Sequence, residues 1–295
     1  MANLRDIKKR ITSVQSTRQI TRTMEMVATA KIKKAQERIE AARPYALAMM
    51  ELLGNVRRNA ASATHPLLAE REERRKVVVI AITSDRGLAG AFNSNILRMT
   101  ENYLVEMKAA GVDADLITVG KKAVAYFMYR GITPVQSYRD ISDKPTFADA
   151  ASIANLVIGA YERCEIDEVM IVFNRFVNVA DQSPESHQLL PIAVETLDEA
   201  AESDAFTVRA EYIFEPTAEE VLGYLLPTYV EALIYRALME SAAAEHGARR
   251  KAMKSATDNA TEMIGSLTRS YNRARQAAIT TEISEIVGGA AALEE

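Results

Sequence analysis

The sequence predicts an α+α/β class: a long antiparallel coiled coil of N- and C-terminal helices, with a Rossmann-like α/β domain inserted between them. Three observations carry this reading. Residues 1–58 hold an apolar stripe at alternating steps of three and four, a period sustained only when a helix supercoils against another. A second stripe of the same period lies near the C-terminus. Between the two, β-branched runs alternate with amphipathic stretches, the pattern of a largely parallel sheet.

The first stripe steps from Leu4 through Ile7, Ile11 and Val14 to Leu53 and Val56. Thirteen of its sixteen positions are apolar, and the exceptions, Arg18, Thr21 and Glu25, are consecutive in it. Around them the apolar residues shift to Ile20, Met24 and Val27, which rotates the apolar face. There the helix is expected to present Met24, Met26 and Val27 to something other than its coiled-coil partner, or else to make a local adjustment of the supercoil. Pro44 is expected to kink or restart the helix near Arg43. At 1.5 Å per residue this first helix would be roughly 80 Å long.

Residues 59–75 read as a linker with a charged end. From Lys76 to Ser84 a β-branched run suits a buried strand. Helices are expected over 95–110, 121–130 and 147–164, and strands over 115–119, 168–173 and 206–214, so that the inserted domain covers 76–214. Val177 to Pro191 is polar and reads as irregular. Thr217 with Glu220 fits a capping box. Gly223 and Pro227 weaken the following turns, so the second long helix is expected to begin properly at Thr228. Its stripe runs through Met253, Ala256, Ala260, Met263, Leu267, Ser270, Ala274 and Ala277, and Gly288-Gly289 is its natural stop. The C-terminal element is thus 217–288, roughly 90 Å long, followed by a tail, 289–295.

Composition narrows the function classes. Hydrophobic content of 48% with only 12 Gly and 8 Pro suits a well-packed, helix-rich chain. No apolar run approaches the ~18 residues of a membrane span. The single cysteine, Cys164, excludes an internal disulfide and falls in helical line with Ile153, Val157 and Ala160, as a packed thiol would. His65, His187 and His246 have no metal-ligand spacing. Residues 1–43 hold eleven Lys/Arg against four Asp/Glu, a net of +7, which leaves −11 for the remainder. A basic helix on an acidic protein implies an acidic partner, or simply a solvated face.

The most enzyme-like stretch is Thr83 to Asn93 (TSDRGLAGAFN), which follows a strand and precedes a helix. It lacks both the dinucleotide fingerprint and the Gly-Lys-Ser/Thr of a P-loop. Gly120-Lys121-Lys122 sits similarly. A structural turn with close strand-to-helix approach explains both. Asp85 and Arg86 could form a local ion pair or a site. No Ser/His/Asp arrangement, carboxylate pair or metal motif is present, so no catalytic, cofactor or metal residue is assigned.

At this point the motifs become specific. Ile7-Lys8, Arg10-Ile11, Ser13-Val14, Ile20-Thr21 and Met24-x-Met26-Val27-Ala28 closely resemble the N-terminus of the γ subunit of F-type ATP synthases. Ala278-Ile279-Thr280-x-Glu282-x-x-Glu285-Ile286-Val287-Gly288-Gly289-Ala290 resembles that family's C-terminal signature. Arg43-Pro44-Tyr45, Ser84-Asp85-Arg86-Gly87-Leu88, Gln188-Leu189-Leu190-Pro191 and Ala256-Thr257-Asp258-Asn259 match in order between them. The resemblance implies a central rotor shaft of a proton-translocating complex, without bond chemistry of its own. It would turn inside a ring of α and β subunits, with the α/β domain on the c-ring beside ε. It implies contacts to the α/β ring through Met24, Arg249, Gln276, Thr280 and Glu282, and to the c-ring and ε through Tyr212 and Glu215. It also implies a peripheral place on the cytoplasmic face of a bacterial inner membrane, the Met start without a leader suggesting a bacterial form. No nucleic acid, cofactor or direct small-molecule substrate is expected. From the residues alone, a nucleic-acid-binding coiled coil and a nucleotide-dependent α/β enzyme remain the alternatives. The lack of interleaved aromatics in residues 1–43 counts against the first.

Overall fold

A computed structural model describes residues 4–59, 65–71, 73–179, 181–193 and 217–291. The chain divides into two compact units, one of residues 1–28 with 250–295 and one of residues 29–249. Helices α1 (Leu4–Asn59) and α5 (Ala218–Ala291) contribute to both.

The periodicity of α1 is borne out closely. Fifteen of its sixteen stripe positions are buried or half-buried, Arg18 alone being exposed. The helix runs through Pro44 without interruption, and α5 runs through Gly223 and Pro227 from Ala218. Both prolines lie where neighbouring turns are fixed by packing: Met49, Leu53 and Val56 after the first, and Leu222, Leu226 and Tyr229 around the second, belong to one apolar cluster. Tertiary burial of these turns outweighs the lost backbone donor. Thr217 Oγ1 accepts from the Glu220 amide at 3.2 Å, which is one half of the expected capping box. The helix continues past Gly288 and Gly289 to Ala291, so the expected stop is not used.

The second stripe needs a correction. Met253, Ala256, Ala260, Leu267 and Ala274 are inward, but Met263 is 53% exposed and Ser270 and Ala277 are exposed. Their places are taken by Ile264, Tyr271 and Ala278, which continue the three-and-four rhythm from Ala260.

In the larger unit, strands β1 (Lys76–Ile82), β2 (Asp113–Val119), β3 (Gln136–Tyr138) and β4 (Glu168–Phe176) are parallel and β5 (Gln182–Leu190) is antiparallel, in the order β3-β2-β1-β4-β5 among the described residues. The stretch expected to be irregular is thus largely β5. Among the described residues its ladder bonds come from β4. Helices α2 (Phe92–Ala109) and α3 (Lys121–Tyr129) cover one face, around Val79, Ala81, Leu116 and Val172. Helix α4 (Phe147–Glu162), with the inner ends of α1 and α5, covers the other, around Val78, Ile80, Val169 and Ile171. Burial on both faces explains why β1 reads as an unbroken apolar run. The expected strand 206–214 lies outside the described residues.

Cys164 also departs from expectation. It is exposed, because α4 ends at Glu162 and Cys164 adopts φ +57 beyond it. Its amide donates to Tyr161 O and that of Glu165 to Ala160 O, closing the helix with the left-handed cap that glycine makes elsewhere.

Candidate partner-contact sites

In the smaller unit, the three polar interruptions of the first stripe do not behave alike. Thr21 stays in the seam, buried, with its hydroxyl 2.7 Å from that of Thr257 on α5. Arg18 is exposed and Glu25 half-buried. A threonine pair therefore keeps the helices in register where two apolar side chains would otherwise meet. Ile20, Met26 and Val27 are left exposed, at 60%, 67% and 52%, while Met24 is half-buried at the margin. This is an uncovered apolar strip on an otherwise charged helix, with Arg18 and Arg22 exposed beside it.

At the far end of α5, Gln276, Thr280 and Glu282 are exposed, with Thr280 Oγ1 donating to Gln276 O at 3.0 Å. Continuing the antiparallel register of the Thr21–Thr257 pair puts Leu4 opposite Ala274. From Ile279 onward, α5 has no described α1 residue beside it. Ile279, Ile283, Ile286 and Val287 nevertheless recur at helical spacing and are exposed. Such a run of exposed apolar side chains is the kind of surface that marks an interaction site.

In the larger unit, Arg249 is turned inward. Its Nη2 donates to Gly87 O at 3.2 Å and to Glu245 Oε1, and its Nη1 lies 3.4 Å from His246 Nδ1. Facing a guanidinium, Nδ1 must accept, which leaves the proton on Nε2, 3.3 Å from Asp143 Oδ1. Burial pushes the His246 pKa down to about 4, so the ring is neutral near pH 7. Burial pushes the Glu245 carboxyl up despite Arg249, and its Oε2 has no partner among the described residues. Asp143 also takes Lys31 Nζ on both oxygens, at 2.6 and 2.7 Å. Burial alone would raise the Asp143 pKa, but Lys31 and His246 hold it below the usual carboxylate range.

The strand ends where an α/β fold usually binds a nucleotide are filled by this chain itself. The strand order turns back beside β1, making a crevice between the ends of β1 and β4. There Ala244 and Ala248 of α5 pack against Ala89, Phe92 and Phe176. The amides of Lys121, Asp140 and Ser142 all donate to Asp85, joined by Ser142 Oγ at 2.8 Å. Burial works against the Asp85 anion, yet these donors bring its pKa below the ordinary value. A carboxylate thus uses the donors that would cradle a phosphate, and Asp85 is a loop organiser rather than half of an ion pair with Arg86. Gly120, at φ +92, lies so close to Thr83 that a Cβ would sit 2.3 Å from its carbonyl oxygen, the close approach expected of that turn. Among the described residues no group of three or more His, Cys, Asp or Glu is placed to hold a metal ion.

Tyr212 and Glu215 lie outside the described residues. The sequence reading missed Lys31, Asp143 and His246 as a constellation. It also missed Ile283, whose signal was available as apolar residues at 279, 283 and 286 beyond the last seam position.

A family model described as ATP synthase matches residues 3–293. The ATP synthase gamma chain of Desulforamulus reducens is 49% identical over 294 residues, 100% of either chain. That of Stenotrophomonas maltophilia is 43% identical over 293 residues, 99% of this chain and 100% of its own. Among solved structures, a chain of the Tetrahymena thermophila mitochondrial ATP synthase central stalk and c-ring is 27% identical with a TM-score of 0.59, over 80% of this chain and 99% of that one. A chain of the Euglena gracilis mitochondrial ATP synthase is similar in fold, with a TM-score of 0.67 at 23% identity over 98% of this chain and 94% of that one.

Proposed function

The chain belongs to the ATP synthase gamma-chain family, and from that membership we propose that it works as the central rotor shaft of a proton-translocating F-type complex. In this reading residues 1–58 and 217–288 form the shaft, and residues 76–214 form the foot on the c-ring beside ε. The observation that carries the reading is the end of α5, where Ile279, Ile283, Ile286 and Val287 form an apolar face exposed in the isolated chain. Covering one such side chain is worth about 1.5–3 kcal/mol, so the face can hold a partner ring firmly without a chemical bond. Met24, Gln276, Thr280 and Glu282 would meet the α/β ring, and Tyr212 and Glu215 the c-ring or ε, whereas Arg249, bonded inward to Gly87 and Glu245, would serve the chain's own packing. The basic first helix suits an acidic partner surface.

A shaft acts by linkage. It shifts nucleotide affinity in each catalytic β subunit only by its differential contact with that subunit's states, about 1.4 kcal/mol for each tenfold change. Rotation carries those preferences around the ring, so ion flow through the c-ring drives ATP synthesis, and hydrolysis drives the reverse. The chain itself makes and breaks no bonds, consistent with a strand-end crevice occupied by its own helix. No helix among the described residues is long and apolar enough to cross a membrane, which fits attachment through the c-ring. Reconstitution with α and β subunits tests the reading: the chain should assemble with them and raise ATP hydrolysis. No assembly and no effect on turnover would refute it.

A further inference from the structure

One turn of α5 is held from three separate places on the sheet domain: two loops and the start of β5. At the start of β5, the Gln182 side chain stands over Gly247, where a Cβ would lie 2.9 Å from its Nε2. Gly87 O, in the loop after β1, takes Arg249, and Asp143 Oδ1, in the loop after β3, lies 3.3 Å from His246 Nε2. Asp143 also binds Lys31, so the same carboxylate is bonded to α1 and lies against His246 of α5. Asp85 fixes this loop in turn, through Asp140 and Ser142.

We propose that this turn, residues 244–249 seated in the strand-end crevice and pinned through Asp143, is the grip by which the α/β domain turns the helix pair, with Asp143 as its principal positioning residue. The proposal rests on the rotor reading above. Apolar packing between helices and sheet is extensive, but it is non-directional, and side chains can slide past one another about a helix axis. Charge-assisted hydrogen bonds are directional and resist that rotation. Gly247 has the complementary steric role, because the close approach of Gln182 blocks passage of any larger side chain. Gln182 Nε2 is itself held by Asn178 O and Val179 O, both at 2.9 Å. The crevice that binds ligands in related architectures is here a socket for the protein's own shaft.

The test uses the complete ATP synthase in membrane vesicles, comparing ATP hydrolysis with ATP-driven proton pumping for Asp143→Ala, for Asp143→Glu, and for Asp143→Lys combined with Lys31→Glu. Loss of the half-exposed pair is expected to raise slip about fivefold. Slip is read as a fall in pumping per ATP with hydrolysis maintained. Asp143→Glu should restore the ratio, and the charge swap, which rebuilds only the pair with residue 31, should recover part of it. If Asp143→Ala fails to assemble, Asp143→Asn, which keeps the shape and removes the charge, carries the same expectation. An unchanged ratio overturns the grip, and so does a proportional loss of both activities, which marks a folding role. If the unaltered chain supports neither activity, the rotor reading fails instead.

Discussion

Replacing His246 with glutamine removes a buried base while keeping a polar side chain of similar reach, and the change should appear as a loss of pH sensitivity. Folding lowers the pKa of His246 from 6.5 to about 4. Below pH 6.5 the unfolded chain therefore takes up a proton on this ring that the folded chain does not. Stability from His246 is complete above 6.5 and is lost as pH falls toward 4. At ~1.4 kcal/mol per pH unit, the loss between pH 6.5 and 4.5 is about 2 kcal/mol. Two neighbours titrate differently. Glu245, raised by burial, takes up its proton earlier when folded and so gains stability on acidification. Asp143, held low by Lys31 and His246, matters only below its unfolded value of 3.8. The stability difference between wild type and His246→Gln isolates the histidine from both. Urea unfolding of the purified chains at several pH values should show that difference shrinking by about 2 kcal/mol from pH 6.5 to 4.5 and level above pH 7. Parallel pH profiles would refute a neutral buried His246.

Gly120→Ala should cost about 3 kcal/mol or more, since φ +92 and a backbone oxygen 2.3 Å from the new carbon both oppose it, whereas Gly111→Ala, with open space at φ +75, should cost about 1. Equal urea midpoints for the two would contradict the close approach to Thr83. Thr21→Val and Thr257→Val should each cost about 1 kcal/mol, and the double variant little more than either, because two valines fill an apolar seam. Additive losses in that cycle would argue against the hydroxyl pair. Ile283→Asp should leave the melting of the isolated chain unchanged and weaken its binding to α and β subunits at least tenfold, in line with ~1.5–3 kcal/mol of lost burial. Unchanged affinity would remove Ile283 from the partner surface.

What the sequence disclosed and what it hid have physical reasons. The stripe of α1 was legible because each residue from Leu4 to Val56 faces in or out by its angular position alone. The second stripe slipped at Met263 because Met263 and Ile264 are both apolar, and composition cannot choose between adjacent candidates. Cys164 continued a helical spacing, but the helix had already ended in a left-handed cap that usually announces itself by glycine. In β5, Pro184 and a polar run masked a strand whose pairing is supplied by its neighbour. The Asp143 constellation left no signal, since Lys31 lies 112 residues from Asp143 and only the fold brings them together. The same holds for the crevice: Thr83 to Asn93 suggested a ligand loop, and nothing local to it indicated that Ala244 and Ala248 would fill the space.

Cys164 makes the most direct test of the rotor possible without substitution, because it is the sole cysteine and is exposed. A bead attached there, on chain reconstituted into immobilised α and β subunits, should turn in one direction when ATP is added and stop when ATP is removed. Steady ATP hydrolysis with the bead stationary would contradict the account.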